Sequence, residues 1–255
     1  MSFSANLGFL WTDLDLPAAI HAAATAGFDA VELHWPYNIP AQSVRAALDE
    51  TGLACLGINT SRGDVSDGDN GLAALTGRAD EARAAIDQAV KYADNIDAHA
   101  VHVMSGIAEG LDAHSQFVEN LRYATAQTSR TILIEPLNRH DAPGYFFERL
   151  TQAQRLIKDV NAPNLKIMFD CYHVARTEGD VLTRFRQLKD HIGHVQFAAV
   201  PTRGAPDHGE IDYRWLLLAL HEAGWNKPFG AEYKPGGPTA DTLGWLKRFK
   251  GAAGP

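Results

Sequence analysis

Short apolar runs alternate along the chain with longer stretches of helical period. The runs are FSANLGFL at 3–10, AVELHW at 30–35, ACLGIN at 54–59, AVHVMS at 100–105, TILIEPL at 131–137, LKIMFD at 165–170, HVQFAAV at 194–200 and FGAEYK at 229–234. Between them, at 17–26, 41–51, 78–95, 114–128, 146–159, 180–190, 212–223 and 239–250, apolar positions return every three or four residues, as on an amphipathic helix. Pro17 and Pro40 fall where a first helical turn tolerates proline, and Gly27, Gly52 and Gly224 fall just past predicted helix ends. Eight strand-plus-helix units in about 250 residues have the size and rhythm of a (β/α)₈ TIM barrel. A doubly wound open sheet is the alternative, but no GxGxxG fingerprint or phosphate-binding loop follows the first run. With no linker and no shift in composition, a single domain over residues 1–255 is expected.

A barrel gives strand ends a special meaning, because active sites of that fold are assembled where the strands finish. Glu135 follows the apolar run of the fifth strand, Asp170 ends the sixth, Gln196 lies on the seventh and Glu232 ends the eighth. A lone acid at such a place is usually solvated or paired with an arginine. Three carboxylates and an amide recurring about once per unit are different: converging in a half-buried cavity, the acids would raise one another's pKa unless a cation lay between them. An all-oxygen donor set without cysteine favours a hard divalent ion, Mg²⁺ or Mn²⁺. The alternative is a polar ring closed by salt bridges.

Composition narrows the partners. The 255 residues are 45% hydrophobic and 21% charged, with a formal net charge of −8. That acidic field disfavours nucleic acid. The N-terminus MSFSANLGFLW lacks a basic segment followed by an apolar one, and WLLLAL at 215–220 is too short to span a bilayer, so no membrane partner is expected. Cys55 and Cys171 lie inside apolar runs and read as buried reduced thiols, consistent with a cytoplasmic protein. A homo-oligomer remains open.

LIEPLNRHDAPGYF, FDCYH, GHVQFAAVPTRGAPDHGEIDY and GAEYKP together resemble the hydroxypyruvate isomerase family, a branch of the xylose isomerase-like barrels that also holds ketose 3-epimerases and endonuclease IV. FSANLGFLW and GFDAVELHWPY are similar to its first two strands, so the likeness covers nearly the whole chain. The resemblance implies that Glu135, Asp170, Gln196 and Glu232 coordinate a divalent metal, that Glu135 and Glu232 also form the proton-transfer pair, and that His173 and Arg203 contact substrate. After the glutamine this chain reads AAVPTRG where relatives commonly carry something like ADNPHRG. Ala199, Val200 and Thr202 thus remove polar groups beside the pocket, a change that bears on the substrate more than on the reaction class.

The chemistry constrains the site independently of that likeness. Moving a carbonyl between adjacent carbons needs a Lewis acid on both oxygens, one carboxylate to take a carbon-bound proton and a second acid to return one. The expected activity is interconversion of hydroxypyruvate and tartronate semialdehyde, with a 2-oxo-tetronate isomerase or a ketose 3-epimerase on the same metal as alternatives. A keto acid also needs a cation for its carboxylate, and Arg203 or Lys234 would serve. Taken singly, Glu32, His34, Asn59 and His102 read as polar plugs, Glu210 and Asp212 as a helix start, and SRGD at 61–64 as a loop without a mechanism. An endonuclease IV-like nuclease would need several more histidines at strand ends.

Overall fold

Hydrogen bonding from strand to strand closes on itself. The computed structural model describes residues 1–251; the single-domain expectation extends to residues 252–255, which lie outside the described residues. Eight strands, β1 (Phe3–Asn6), β2 (Ala30–Leu33), β3 (Ala54–Asn59), β4 (Ala100–His102), β5 (Thr131–Ile134), β6 (Leu165–Asp170), β7 (Ile192–Phe197) and β8 (Phe229–Ala231), form a closed barrel in chain order. All eight pairings are parallel, and β8 returns to β1 with Ser4 opposite Gly230. The expected (β/α)₈ architecture is therefore the observed one.

Among the described residues the helices are α1 (Leu16–Ala26), α2 (Ala41–Thr51), α3 (Ala79–Ile96), α4 (Gly110–Gln127), α5 (Leu150–Val160), α6 (Cys171–Thr177), α7 (Val181–Leu188), α8 (Tyr213–Glu222) and α9 (Gly244–Gly251). Local chemistry sets their ends. Asp15 accepts from the Ala18 amide to start α1, and Gly27 at φ 91° closes it in the left-handed region that costs glycine least. Asp212 likewise accepts from the Trp215 amide at 3.2 Å, so its reading as a helix start holds. No described helix is long and apolar enough to cross a membrane.

The expectation of one helix per strand fails after β6, where α6 begins at Cys171 with no intervening loop and α7 follows it. Asp170 is both the last residue of β6 and the N-cap of α6, its Oδ1 accepting from the Tyr172 amide at 2.8 Å. In sequence that aspartate reads only as the end of an apolar run. Cys171 accordingly opens a helix rather than lying in a strand, though both cysteines are free and buried as expected.

The barrel is sealed by apolar packing between strands and the helical shell. At the β8 to β1 closure Trp245 of α9 is fully buried, meeting Phe3 edge-on at 5.4 Å and Phe197 at 5.5 Å, while its indole N–H donates to the Tyr233 hydroxyl at 3.3 Å. Trp245→Ala empties the space where the last helix meets the first strand, so equilibrium urea unfolding should show a loss of about 3–5 kcal/mol; a loss under about 1 kcal/mol would mean that α9 does not fasten the closure.

Candidate active site and metal centre

At the carboxyl end of the barrel the strands deliver side chains to one point. Glu135 follows β5 directly and is 5% exposed, and Glu232 follows β8 and is 6% exposed. The register sets Asp170 beside Gln196 and Gln196 beside Gly230, so the β6, β7 and β8 contributions lie at one depth. One ligand atom each from Glu135, Asp170, His173 and Glu232 all lie within 4.8 Å of one another.

The acids of this cluster are not equivalent. Burial would raise Glu232, but the Arg203 guanidinium, donating at 2.6 Å to Oε2, outweighs it; Asn6 and His34 add contacts of 3.1 Å to Oε1, and the carboxyl is held down at about 2. Glu135 has no such donors. Burial, with Glu232 and Asp170 close by, pushes it well above the usual carboxylate range, and burial with Glu232 raises Asp170 to about 7. These values describe acids that lack a cation.

Unpartnered atoms test whether a metal fits. Glu135 Oε1, Asp170 Oδ2 and Gln196 Oε1 are all buried and accept no hydrogen bond. Buried oxygens without donors are costly, and three of them at one barrel mouth suit an oxygen-liganded cation. The residues present therefore fit a hard divalent ion.

His173 is buried beside the acids, with Nε2 at 3.6 Å from Asp170 and 3.8 Å from Glu135. The Asn138 backbone N–H reaches its Nδ1 at 3.0 Å and the Asn138 side-chain nitrogen does so at 2.7 Å. A backbone N–H can only donate, so Nδ1 accepts and the proton of the neutral ring sits on Nε2. Burial, then Arg203, depress the ring to about 3. His173 thus presents an N–H donor to the cluster, the chemistry of a substrate contact and not of a metal ligand.

Arg203 is almost buried, held between Glu232 and Asp141, and stacked over Phe9 at 4.9 Å and Tyr172 at 5.3 Å. Lys234 is not brought into the group: it is exposed and lines a separate cavity with Thr202, Gly204 and His208. Conversely, His34, and Glu32 one layer lower, touch site residues although each reads in isolation as a polar plug, and so do Asn6 and Asn138, which the sequence does not single out. A β-carbon at Gly8 would overlap the His34 ring, so that glycine makes room for the histidine on Glu232. Arg62 lies over Trp35 with its guanidinium carbon 4.0 Å from the ring centroid, and it joins no ion pair among the described residues.

The fold has known counterparts. The family model described as a xylose isomerase-like TIM barrel matches residues 20–249. The chain is 40% identical to a 2-oxo-tetronate isomerase of Cupriavidus necator, covering 98% of each chain. It is 35% identical to the hydroxypyruvate isomerase of Escherichia coli, covering 98% of this chain and all of that one. A crystal structure titled as an AP endonuclease, family 2, from Brucella melitensis superposes with a TM-score of 0.93 at 36% identity, over 97% of this chain and 98% of that one.

The tautomer assignment has a direct readout. With a pKa depressed to about 3, His173 should stay neutral throughout the ordinary working range, and side-chain ¹H–¹⁵N correlation spectra in Mg²⁺ buffer should show the Nε2–H pattern from pH 5 to 8. An Nδ1–H pattern would instead leave Nε2 free to bind a metal, and titration near the ordinary histidine pKa would show that burial does not hold the ring neutral.

Proposed function

This chain belongs to the xylose isomerase-like TIM barrel family, and we propose that it interconverts hydroxypyruvate and tartronate semialdehyde, with Glu135, Asp170, Gln196 and Glu232 holding Mg²⁺ or Mn²⁺. The observation that carries this reading is the set of buried oxygens without donors, set within a few ångströms of two glutamates of opposite proton affinity. A bound divalent ion would draw charge from two adjacent substrate oxygens and acidify the carbon-bound proton beside them.

The protein's own groups supply the rest. Glu135 and Glu232 come from strands on different sides of the cluster, so one can take the proton from C3 and the other return one to C2. Arg203, His34 and Asn6 fix the Glu232 carboxylate in place. Glu135, free of donors, is the more readily protonated partner. The His173 N–H supplies a hydrogen bond to a substrate oxygen in which charge accumulates.

The expected role of Arg203 needs adjusting. Because it already neutralises Glu232, its loss should impair every substrate and not keto acids alone. Arg62, unpaired on the loop after β3 at the same barrel end, is a better-placed cation for a substrate carboxylate, and it lies in the SRGD segment that carries no mechanism when read in sequence. The 2-oxo-tetronate isomerase relative supports a keto acid one carbon longer as a second reading. The endonuclease name attached to the Brucella structure lends little to a nuclease here, since the acidic group among the described residues includes a single histidine. A small-molecule partner without nucleic acid or membrane, a cytoplasmic setting and an open oligomeric state complete the proposal, and the two free, buried cysteines support the cytoplasmic setting.

The test is proton NMR of the purified protein in D₂O with hydroxypyruvate, 2-oxotetronate and D-fructose. Turnover should require Mg²⁺ or Mn²⁺, deuterium should enter the carbon that exchanges its proton, and Glu135→Gln should lower kcat by about 10²-fold or more while metal still binds. Full activity after exhaustive chelation, or an undiminished Glu135→Gln enzyme, would refute the mechanism.

Substrate charge is tested separately. Arg62→Met removes a charged hydrogen bond worth ~1.5–3 kcal/mol, so kcat/KM for the keto acid should fall about 10- to 150-fold with little change for an uncharged ketose. An equal loss on both, or none, would remove Arg62 from carboxylate recognition.

A further inference from the structure

Beneath the cluster lies a second polar layer that neither proton transfer nor metal binding uses directly. Glu32 of β2 is 4% exposed and accepts from the Ser4 hydroxyl at 2.5 Å on Oε1 and from the Gln196 side-chain nitrogen at 2.7 Å on Oε2, with His194 Nε2 at 3.0 Å. A β-carbon at position 230 would overlap Glu32 Oε1 and crowd Gln196 and His194, so the glycine of β8 makes space for this layer. The arrangement spans β1, β2, β7 and β8 and sits inside the barrel.

Gln196 is the one neutral donor in the proposed metal set, and an amide has two unlike ends. Its oxygen can hold a cation; its NH₂ repels one. Nothing in the glutamine itself selects between the two orientations, and at 1% exposure bulk solvent does not serve both ends alike. A carboxylate below it does select, because it offers only lone pairs and so attracts the NH₂ end. The Oε1 at the other end of the amide is buried and unpartnered.

We propose that Glu32 is a positioning residue that fixes the Gln196 amide with its oxygen toward the metal cluster, Ser4 and His194 in turn holding Glu32. Drawing on the NH₂ group also makes the amide oxygen more electron-rich, the usual effect of an outer carboxylate on an inner ligand. Glu32 is not itself a ligand, since its oxygens are committed to groups in its own layer. This inference rests on the reading of Gln196 as a metal donor.

The experiment is Mn²⁺ titration calorimetry on the full chain, comparing wild type, Gln196→Ala, Glu32→Gln and the double variant, with the melting temperature of each recorded. Glu32→Gln keeps the size of the side chain but offers an NH₂ to which the Gln196 oxygen can turn, so Mn²⁺ affinity should fall by about 10- to 100-fold. In the Gln196→Ala background the same change should cost less than about twofold, because the amide that Glu32 orients is gone. A merely structural role would lower the melting temperature and act equally in both backgrounds. If Glu32→Gln does not fold, Ser4→Ala is compared in the same two backgrounds, with a smaller loss expected only where Gln196 is present.

Equal losses in the two backgrounds, or an unchanged affinity in the position-32 or position-4 variant, would overturn the proposal while leaving Gln196 a ligand. Unchanged affinity in Gln196→Ala alone would instead show that the glutamine is no donor, and the inference would fall together with the reading beneath it.

Discussion

Four carboxylates, Glu32, Glu135, Asp170 and Glu232, are buried in the upper half of one barrel, and their mutual repulsion is the constraint around which the rest of the site is arranged. Each is answered differently. Glu32 is met by a hydroxyl, an amide and an imidazole. Glu232 is met by arginine, histidine and asparagine. Asp170 spends one oxygen capping α6. Glu135 has no hydrogen-bond donor among the described residues, and with the second oxygen of Asp170 it marks where acid charge is left unanswered. The protein satisfies what a scaffold needs satisfied, and the remainder is a group of acids that could hold a cation.

That division explains what could be read in sequence. The short apolar runs and helical stretches reveal the barrel because each unit repeats the same burial pattern, and a barrel in turn marks the ends of its strands. Glu135, Asp170, Gln196 and Glu232 stand out for that reason, spaced about one unit apart. His34, Asn6, Asn138 and Glu32 do not, because their importance lies in contacts to residues far off in the chain: Asn6 reaches Glu232 across 226 positions and Asn138 reaches His173 across 35. No local pattern encodes such a partner. Lys234 misleads for the complementary reason. Sharing strand parity with Glu232 implies a shared face only while the strand lasts, and β8 ends at Ala231, so the parity no longer governs where the lysine points.

Helix α6 shows how one residue can hide a structural boundary. An aspartate after an apolar run satisfies both the pattern of a strand end and that of an N-cap, and at Asp170 both are true. The shared role has a chemical consequence. Capping fixes the carboxylate by a bond from the Tyr172 amide and so orients the other oxygen, while the first turn of the helix brings His173 three residues on to the same cluster. A loop between β6 and α6 would have separated these two groups and cost both their alignment.

Substrate choice belongs to a different part of the molecule from the chemistry. The proposed proton-transfer pair and the oxygens proposed to hold the metal come from β5 to β8, while the groups rimming the opposite wall come from the loops after β1, β2 and β3: Phe9 against Arg203 and His34, Trp35 against His34, and Arg62 over Trp35. These rings link the arginine that neutralises Glu232 to the arginine that neutralises nothing. A substrate whose reacting carbons lie between the glutamates must extend along such a wall, and a carboxylate one or two carbons away meets its first unpaired positive charge there. Ala199 and Val200 after β7 are buried and carry no polar side-chain group that could partner a sugar's hydroxyl. Both features favour a short anionic substrate over a neutral ketose, and both can change without disturbing the carboxylates that make isomerisation chemically accessible.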